Sequence, residues 1–327
     1  MRDNNFVLPK KGLRMAHLNV CSLRNKVHDV QNILLDHNLH ILALSETRLD
    51  DTIDNSLLHI EGYSIYRKDR DINKRGVAIY VQSQIPVRVR EDFSNDDLEV
   101  IWIQVYLPHM KPIFVGSCYR PPDARIQYLD ELCIMLDKVS DVKGEIFCMG
   151  DLNINWDLKD CSLRKKLFSL ADACNLTQVM TRPTRIFHRT DGTGSSTCID
   201  LIFTNVADLC SKAVSMPVGF SDHNLTAIGR KTKVPKAGQK IIIKRMFKHF
   251  NENNYYGEIK DLDWSTVLNK EDPDLALDVF TGLIMPIIDK YAPLRKQTVR
   301  NVKAPWLDQE LHELMKQRNQ AKVDAIK

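Results

Sequence analysis

Residues 150–153 read Gly-Asp-Leu-Asn, so a carboxylate, Asp151, and an amide, Asn153, follow the apolar run Ile146-Phe147-Cys148-Met149 two positions apart. Alternate side chains of an extended chain share a face, so strand geometry lasting just past Gly150 would point both groups the same way from a strand end. Catalytic groups concentrate at such ends, where the sheet fixes them and the loop opens to solvent. Gly, Asp and Asn are also turn formers, and alone this stretch reads equally well as a turn. Asp200 interrupts the apolar run Cys-Ile-Asp-Leu-Ile-Phe at 198–203. A carboxylate there is costly unless paired or hydrogen-bonded. His223, in Ser221-Asp222-His223, is a candidate partner, because a carboxylate orients an imidazole and favours its charged form. Such a pair reads as catalytic or as a structural ion pair. Asn19, Glu46 and Tyr119 complete a series of polar residues that close apolar runs.

The elements that must position them follow from hydrophobic period. Residues 13–20 read as a strand reaching Asn19, residues 26–38 as a helix with Val27, Val30, Ile33 and Leu34 on one face, and residues 40–44 as a strand delivering Glu46. The pattern returns with a strand at 113–119 ending in Tyr119, a helix at 124–139 carrying Leu129, Leu132, Met135 and Val139, and the strand that Gly150 is expected to break before Asp151. Residues 76–81, 98–107, 198–203 and 225–228 read as further strands and 161–174 as a helix. Strands with and without intervening helices imply a mixed arrangement flanked by helices.

At 327 residues the chain is long enough for one large domain and a smaller one. With 43% hydrophobic and 27% charged residues it has a soluble globular composition. No apolar stretch is long enough to span a bilayer, the start does not resemble a signal peptide, and the eight cysteines form no Cys-x-x-Cys pair. These features predict an intracellular protein without structural zinc. Charge is uneven: residues 1–229 balance at −2 and residues 230–327 at +6. The main domain is therefore no basic nucleic-acid module by bulk charge, and a polyanion must meet local basic clusters or a metal ion. The organisation predicted is an extension over 1–12, a main domain over 13–229, a lysine-rich linker over 230–240 and a mostly helical segment over 241–327, with Asp272 and Pro273 opening one helix. Since every candidate residue precedes the linker, the tail is expected to be dispensable for chemistry and, being basic, to help hold nucleic acid.

Six short elements occur in one order: Leu18-Asn19-Val20, Ser45-Glu46-Thr47, Tyr119-Arg120-Pro121-Pro122, Gly150-Asp151-Leu152-Asn153, Ile199-Asp200-Leu201-Ile202-Phe203 and Ser221-Asp222-His223. Each alone is weak, but the ordered set resembles the endonuclease domain of non-LTR retrotransposons. That domain is similar to apurinic endonucleases, within the endonuclease/exonuclease/phosphatase superfamily. The resemblance spans roughly residues 13–229. It implies a DNase-I-like, four-layered α/β sandwich with its active site at one rim of two packed sheets. It further implies that Glu46 holds a divalent metal, magnesium or manganese, with Asn19 beside it and Asp222 near. Asp151 would orient or deprotonate the attacking water, Asn153 and Tyr119 would bind the scissile phosphate, and Asp200 would support His223 against a phosphate oxygen. Arg120, Thr184 and Arg185 would lie against DNA. The implied activity is metal-dependent nicking of target DNA, which primes reverse transcription, in the nucleus or cytoplasm. Element RNA would be met through the full-length polyprotein, since residues from Lys303 onward resemble the connector preceding a reverse transcriptase. Cys21 departs from the family pattern, standing where relatives carry Asn or Asp near the metal. Two other readings share the motifs: a superfamily phosphoesterase acting on inositol phosphate, sphingomyelin or poly(A), and an inactive, domesticated binding module.

Overall fold

The computed structural model describes residues 12–70, 75–188, 194–235, 240–299 and 308–326. The expected extension 1–12, the centre of the linker and the Lys303-Ala-Pro-Trp stretch of the connector fall almost wholly outside the described residues. Contacts divide the chain into two compact units, 1–237 with 303–327, and 238–302.

The first unit runs, in chain order, β1 (Leu13–Asn19), α1 (Val27–Asp36), β2 (Ile41–Ser45), β3 (Tyr63–Lys68), β4 (Val77–Gln82), β5 (Val87–Val89), β6 (Glu99–Val105) and β7 (Ile113–Tyr119). It continues with α2 (Gln127–Asp141), β8 (Glu145–Asp151), α3 (Ser162–Ala173), β9 (Thr177–Gln178), β10 (Arg185–His188), β11 (Gly194–Thr197), β12 (Asp200–Thr204), β13 (Val214–Met216) and β14 (Leu225–Arg230). The second unit contains β15 (Lys240–Arg245), α4 (Glu252–Lys260), α5 (Ser265–Leu268), α6 (Pro273–Tyr291) and β16 (Leu294–Val299), after which α7 (Gln309–Ile326) returns to the first.

Two six-stranded mixed sheets dominate the first unit, with orders β13-β14-β1-β2-β4-β3 and β5-β6-β7-β8-β12-β9. Parallel pairing occurs at β1–β2 and β7–β8, the two strand–helix–strand units expected from periodicity. Alternation sorts the side chains. Leu13 and Met15 of β1, Ile41 and Ala43 of β2 and Val77, Ile79 and Val81 of β4 join the core shared with the second sheet. Their neighbours Ala16, Leu18, Leu42, Leu44, Ala78 and Tyr80 pack on the other face with Val27, Val30, Ile33 and Leu34 of α1. Helix α2 seals the outer face of the second sheet with Leu129, Leu132, Met135, Leu136 and Val139. The result is a four-layered α/β sandwich in which each fully buried Leu, Ile or Phe contributes roughly 1.5–3 kcal/mol.

Register then fixes the site. Asn19 pairs with Ser45, Tyr119 with Asp151 and Asp151 with Asp200, so the ends of β1, β2, β7 and β8 and the start of β12 meet at one rim. Gly150 does not break its strand as expected; β8 continues to Asp151. A Cβ on Gly150 would lie 1.8 Å from the Cys118 carbonyl oxygen, so the absence of a side chain lets β7 and β8 close beneath the site.

The second unit is mostly helical, with a two-stranded antiparallel sheet of β15 and β16. Helix α6 starts as its sequence suggests: the Asp272 side chain accepts from the Asp274 amide and Pro273 is the first helical residue. Trp264 packs on Phe280 with ring centroids 6.0 Å apart, and Tyr291 donates to Glu258 at 2.6 Å. Among the described residues no helix is long and apolar enough to cross a membrane.

Candidate active site

Asp151 is fully buried at the end of β8, at 1% exposure. Its Oδ2 accepts from Asn19 Nδ2 at 2.9 Å and its Oδ1 from the Asn153 amide at 2.9 Å. Extended geometry stops there: Asn153 has φ +50°, and its Nδ2 donates to the Arg120 carbonyl at 2.9 Å. The same Asn19 nitrogen donates to Glu46 Oε1 at 2.9 Å, so one amide ties the carboxylates of two sheets together. Asn19 thus lies beside Glu46 as expected, but it offers a nitrogen there. Its oxygen accepts from the Cys21 amide at 3.1 Å.

His223 faces both buried aspartates. Its Nδ1 donates to Asp200 Oδ2 at 2.9 Å, and its Nε2 lies 3.9 Å from Asp151 Oδ2. Burial alone would push its imidazolium down; the carboxylates, Asp200 foremost, outweigh that and raise its pKa to about 9. Burial, and then the charge of Asp200, raise Asp151 to about 7 against the pull of His223, Asn19 and Asn153. The ligand atoms of these three residues lie within 4.8 Å of one another, and with His223 charged the imidazolium stands as the counter-ion of the two carboxylates. The Asp200–His223 contact is the one expected from the apolar setting of Asp200.

The backbone around the site is unusual. Cys21, Ser22, Glu46 and Arg48 all have positive φ, at +48°, +87°, +54° and +52°. Left-handed geometry in residues with a Cβ persists only where surroundings enforce it, and it clusters at functional sites. Here it turns the ends of β1 and β2 sharply, and the Ser22 and Leu23 amides donate to the Glu46 and Thr47 carbonyls at 2.7 and 2.9 Å.

The structure also shows how the remaining expected residues are engaged. Arg120, expected against DNA, is 1% exposed, and its guanidinium donates to the carbonyls of Pro121 and Ala124, bracing the turn after β7. Thr184 is fully buried, and its Oγ1 accepts from the amides of Ile199 and Asp200 at 3.1 and 2.9 Å. Asp222 is engaged by Arg185 at 2.7 Å and by the Cys21 thiol at 3.2 Å, a pair that also consumes part of the exposed charge of Arg185. Conversely, three residues received no functional role from sequence. Arg75 Nη1 lies 3.2 Å from Glu46 Oε1 and donates to Tyr119 Oη, and Arg48 lies 3.4 Å from Glu46 Oε2. His17 is wholly buried 3.7 Å from Asp200, with burial lowering its pKa to about 4. Position at a strand end was the available signal for Arg48 and Arg75; His17 gave none, being one residue of an apolar strand.

Two packed sheets thus bring buried carboxylates, an imidazolium and a phenol together at one rim. The chain belongs to the endonuclease/exonuclease/phosphatase family, whose model matches residues 16–223. Solved structures share the fold. The endonuclease domain of TRAS1, a telomere-specific non-LTR retrotransposon, matches with TM-score 0.57 and 15% identity over 68% of this chain and 99% of that one. An AP endonuclease from Archaeoglobus fulgidus matches with TM-score 0.53 and 19% identity over 67% and 100%. The 3′ phosphatase NExo from Neisseria, bound to product DNA hairpin, matches with TM-score 0.56 and 19% identity over 67% and 100%. No curated protein matches the sequence significantly.

Proposed function

We propose that this protein is a divalent-metal-dependent endonuclease that nicks DNA by phosphodiester hydrolysis, as non-LTR retrotransposons do to prime reverse transcription at a target site. The observation that carries the reading is Asp151, a buried carboxylate oriented by Asn19 and Asn153 and facing the imidazolium of His223. Its likeness in fold to the TRAS1 endonuclease domain supports the choice of substrate.

The donor set suits a hard cation. Glu46 is a nearly buried carboxylate whose two oxygens take Asn19 Nδ2 and the guanidiniums of Arg75 and Arg48, positive charge that a metal ion would replace. Magnesium is commonly held by one or two carboxylates, with water and substrate phosphate completing its shell. Held by Glu46, magnesium or manganese supplies charge neutralisation at the phosphate.

The residues of the chain do the rest. With a pKa of about 7, Asp151 is a stronger base than an ordinary carboxylate and still substantially ionised at neutral pH. It takes a proton from a water whose oxygen attacks phosphorus. The bond from phosphorus to the 3′-oxygen breaks, and that oxygen takes a proton from solvent, giving the 3′-hydroxyl that priming requires. His223, charged below about pH 9, gives its Nε2 hydrogen bond to a phosphate oxygen while Asp200 fixes the ring. Tyr119 and Asn153 supply further donors.

The test is nicking of supercoiled plasmid in magnesium, beside a duplex ending in a 3′-phosphate. Glu46→Ala and Asp151→Ala should each lower nicking by at least roughly a hundredfold while remaining folded. Near-normal nicking by either folded variant overturns the assignment. Release of phosphate from the second substrate without nicking would replace the endonuclease with a phosphatase.

A further inference from the structure

We propose that Arg75 is a phosphate-binding residue of this site, poised to pass from Glu46 to a backbone phosphate of the bound strand. The inference rests on the proposed function for the location of that phosphate.

Arg75 is held where such a group is needed. Its carbonyl accepts from the Arg48 amide at 2.8 Å, and the Gly76 carbonyl accepts from the Thr47 amide at 3.3 Å. Gly76 itself has φ +62°, its amide donates to Glu99 at 2.9 Å, and a Cβ there would meet Thr47 Oγ1 at 2.9 Å. The backbone of residues 75 and 76 is therefore clamped to the turn that carries Glu46. From that anchor the guanidinium reaches between Glu46 and Tyr119, with its carbon 5.5 Å from the Tyr119 ring centroid. The side chain is still 37% exposed, so a ligand reaches it from solvent.

Charge and geometry both favour a phosphate. A phosphodiester brought beside Glu46 and Asp151 adds a negative charge to two carboxylates, and a fixed guanidinium offsets it. Arginine matches two oxygens of one phosphate with parallel N–H donors, a geometry lysine lacks. Because Arg75 donates to Tyr119 Oη, the phenol accepts there and directs its own hydrogen to an incoming acceptor. Tyr119 is itself fully buried, so of the two it is Arg75 that an incoming phosphate meets first. The Arg48 guanidinium meets Glu46 at 3.4 Å, whereas that of Arg75 meets both Glu46 and Tyr119, which distinguishes the two arginines.

The rival role is that Arg75 merely neutralises Glu46. A Glu46→Gln background separates the two, since it leaves no carboxylate to neutralise and, on the proposed function, no hydrolysis during a binding measurement. Affinity for a short defined duplex would be followed by fluorescence anisotropy across a salt series in magnesium. Adding Arg75→Met to Glu46→Gln should weaken binding about tenfold and lower the slope of log affinity against log salt by about one. Arg75→Lys should keep the slope and lose part of the affinity. Arg75→Gln provides a second neutral variant should Arg75→Met fail to fold. Unchanged affinity and slope on neutralising Arg75 in the Glu46→Gln background would overturn the proposal and leave Arg75 a counter-ion. Binding without cleavage by the unmutated chain would sink the proposed function alone, because the Arg75 comparison reads affinity and not turnover.

Discussion

The buried hydroxyl of Thr184 accepts two amides, those of Ile199 and Asp200, while its carbonyl accepts the Asn224 amide at 2.6 Å. One residue thus locks the segment that starts β12 to the loop that carries His223. Thr184→Val keeps the volume and removes the acceptor, leaving two buried amides without a partner at roughly 1–3 kcal/mol each. Urea unfolding should register that loss, and nicking should fall because Asp200 no longer holds the His223 ring in place. Thr184→Ser should retain both properties; equal stability of the Val and Ser variants would contradict the account. The same residue marks what was legible at this scale. Asp200 and His223 could be paired from sequence, because a carboxylate inside an apolar run demands a partner. Arg120 and Thr184 could not be placed, since residue type does not tell whether a polar side chain beside a strand end turns to solvent or into the backbone. Their hydrogen bonds to nearby carbonyls and amides decide it, and those exist only once the loops are folded.

At the scale of elements, the two strand–helix–strand units were readable because their helices are long enough to repeat an apolar period, as in Leu129, Leu132, Leu136 and Val139. Strands β5, β9 and β13 were not, having three, two and three residues, too few for alternation to register. They are edge strands whose pairing partner, not their own pattern, makes them extended. Gly150 was misread for a related reason, since a glycine that ends a strand and one that lets a neighbour approach look alike in sequence. The join of β1 and β2 carries a pH consequence. His40 Nδ1 accepts from the Arg14 amide at 2.9 Å, so the folded ring is neutral there, and burial lowers its pKa to about 4. Unfolded, the ring titrates near 6.5. Between those values the unfolded chain binds a proton that the folded chain refuses, so this contribution is complete above about pH 6.5 and is lost as pH falls toward 4. Thermal melts from pH 7.5 to 4.5 should show a shallower acid decline for His40→Gln than for the unmodified chain. Parallel declines would remove His40 from the account.

At the scale of the molecule, the expected division after residue 229 separates the catalytic residues from the linker, but α7 folds back as part of the first unit. Its sequence does not announce this, because the face that docks mixes Met315 and Val323 with His312 and Asn319 and carries ion pairs to α1. On α1, Asp29 Oδ1 accepts from Arg318 and, at 3.1 Å, from Asn319 Nδ2, while Asp36 meets His312 at 3.6 Å and Lys316 at 3.3 Å. Charged residues on a helix read from sequence as a solvated face. A second contact leads toward the site. Gly219 has φ +75°, and a Cβ there would lie 2.3 Å from the Asn319 carbonyl oxygen, so the loop before Ser221 is pressed against α7. Ser221 in turn donates to the Asn19 carbonyl at 2.7 Å, two residues before His223. Helix α7 therefore packs on the loop that delivers the imidazole, and this predicts that the tail supports the site. A chain ending at residue 302 should lose on the order of 1–3 kcal/mol of first-unit stability, because Asp29 would be left without its partly buried partners. Hydrogen exchange over 217–223 should quicken, and nicking should slow several-fold. Asp29→Ala should reproduce the stability loss with the tail intact, which separates the brace from any contribution of the tail's net charge to DNA affinity. Unchanged exchange over 217–223 in the shortened chain would return α7 to the role of a connector.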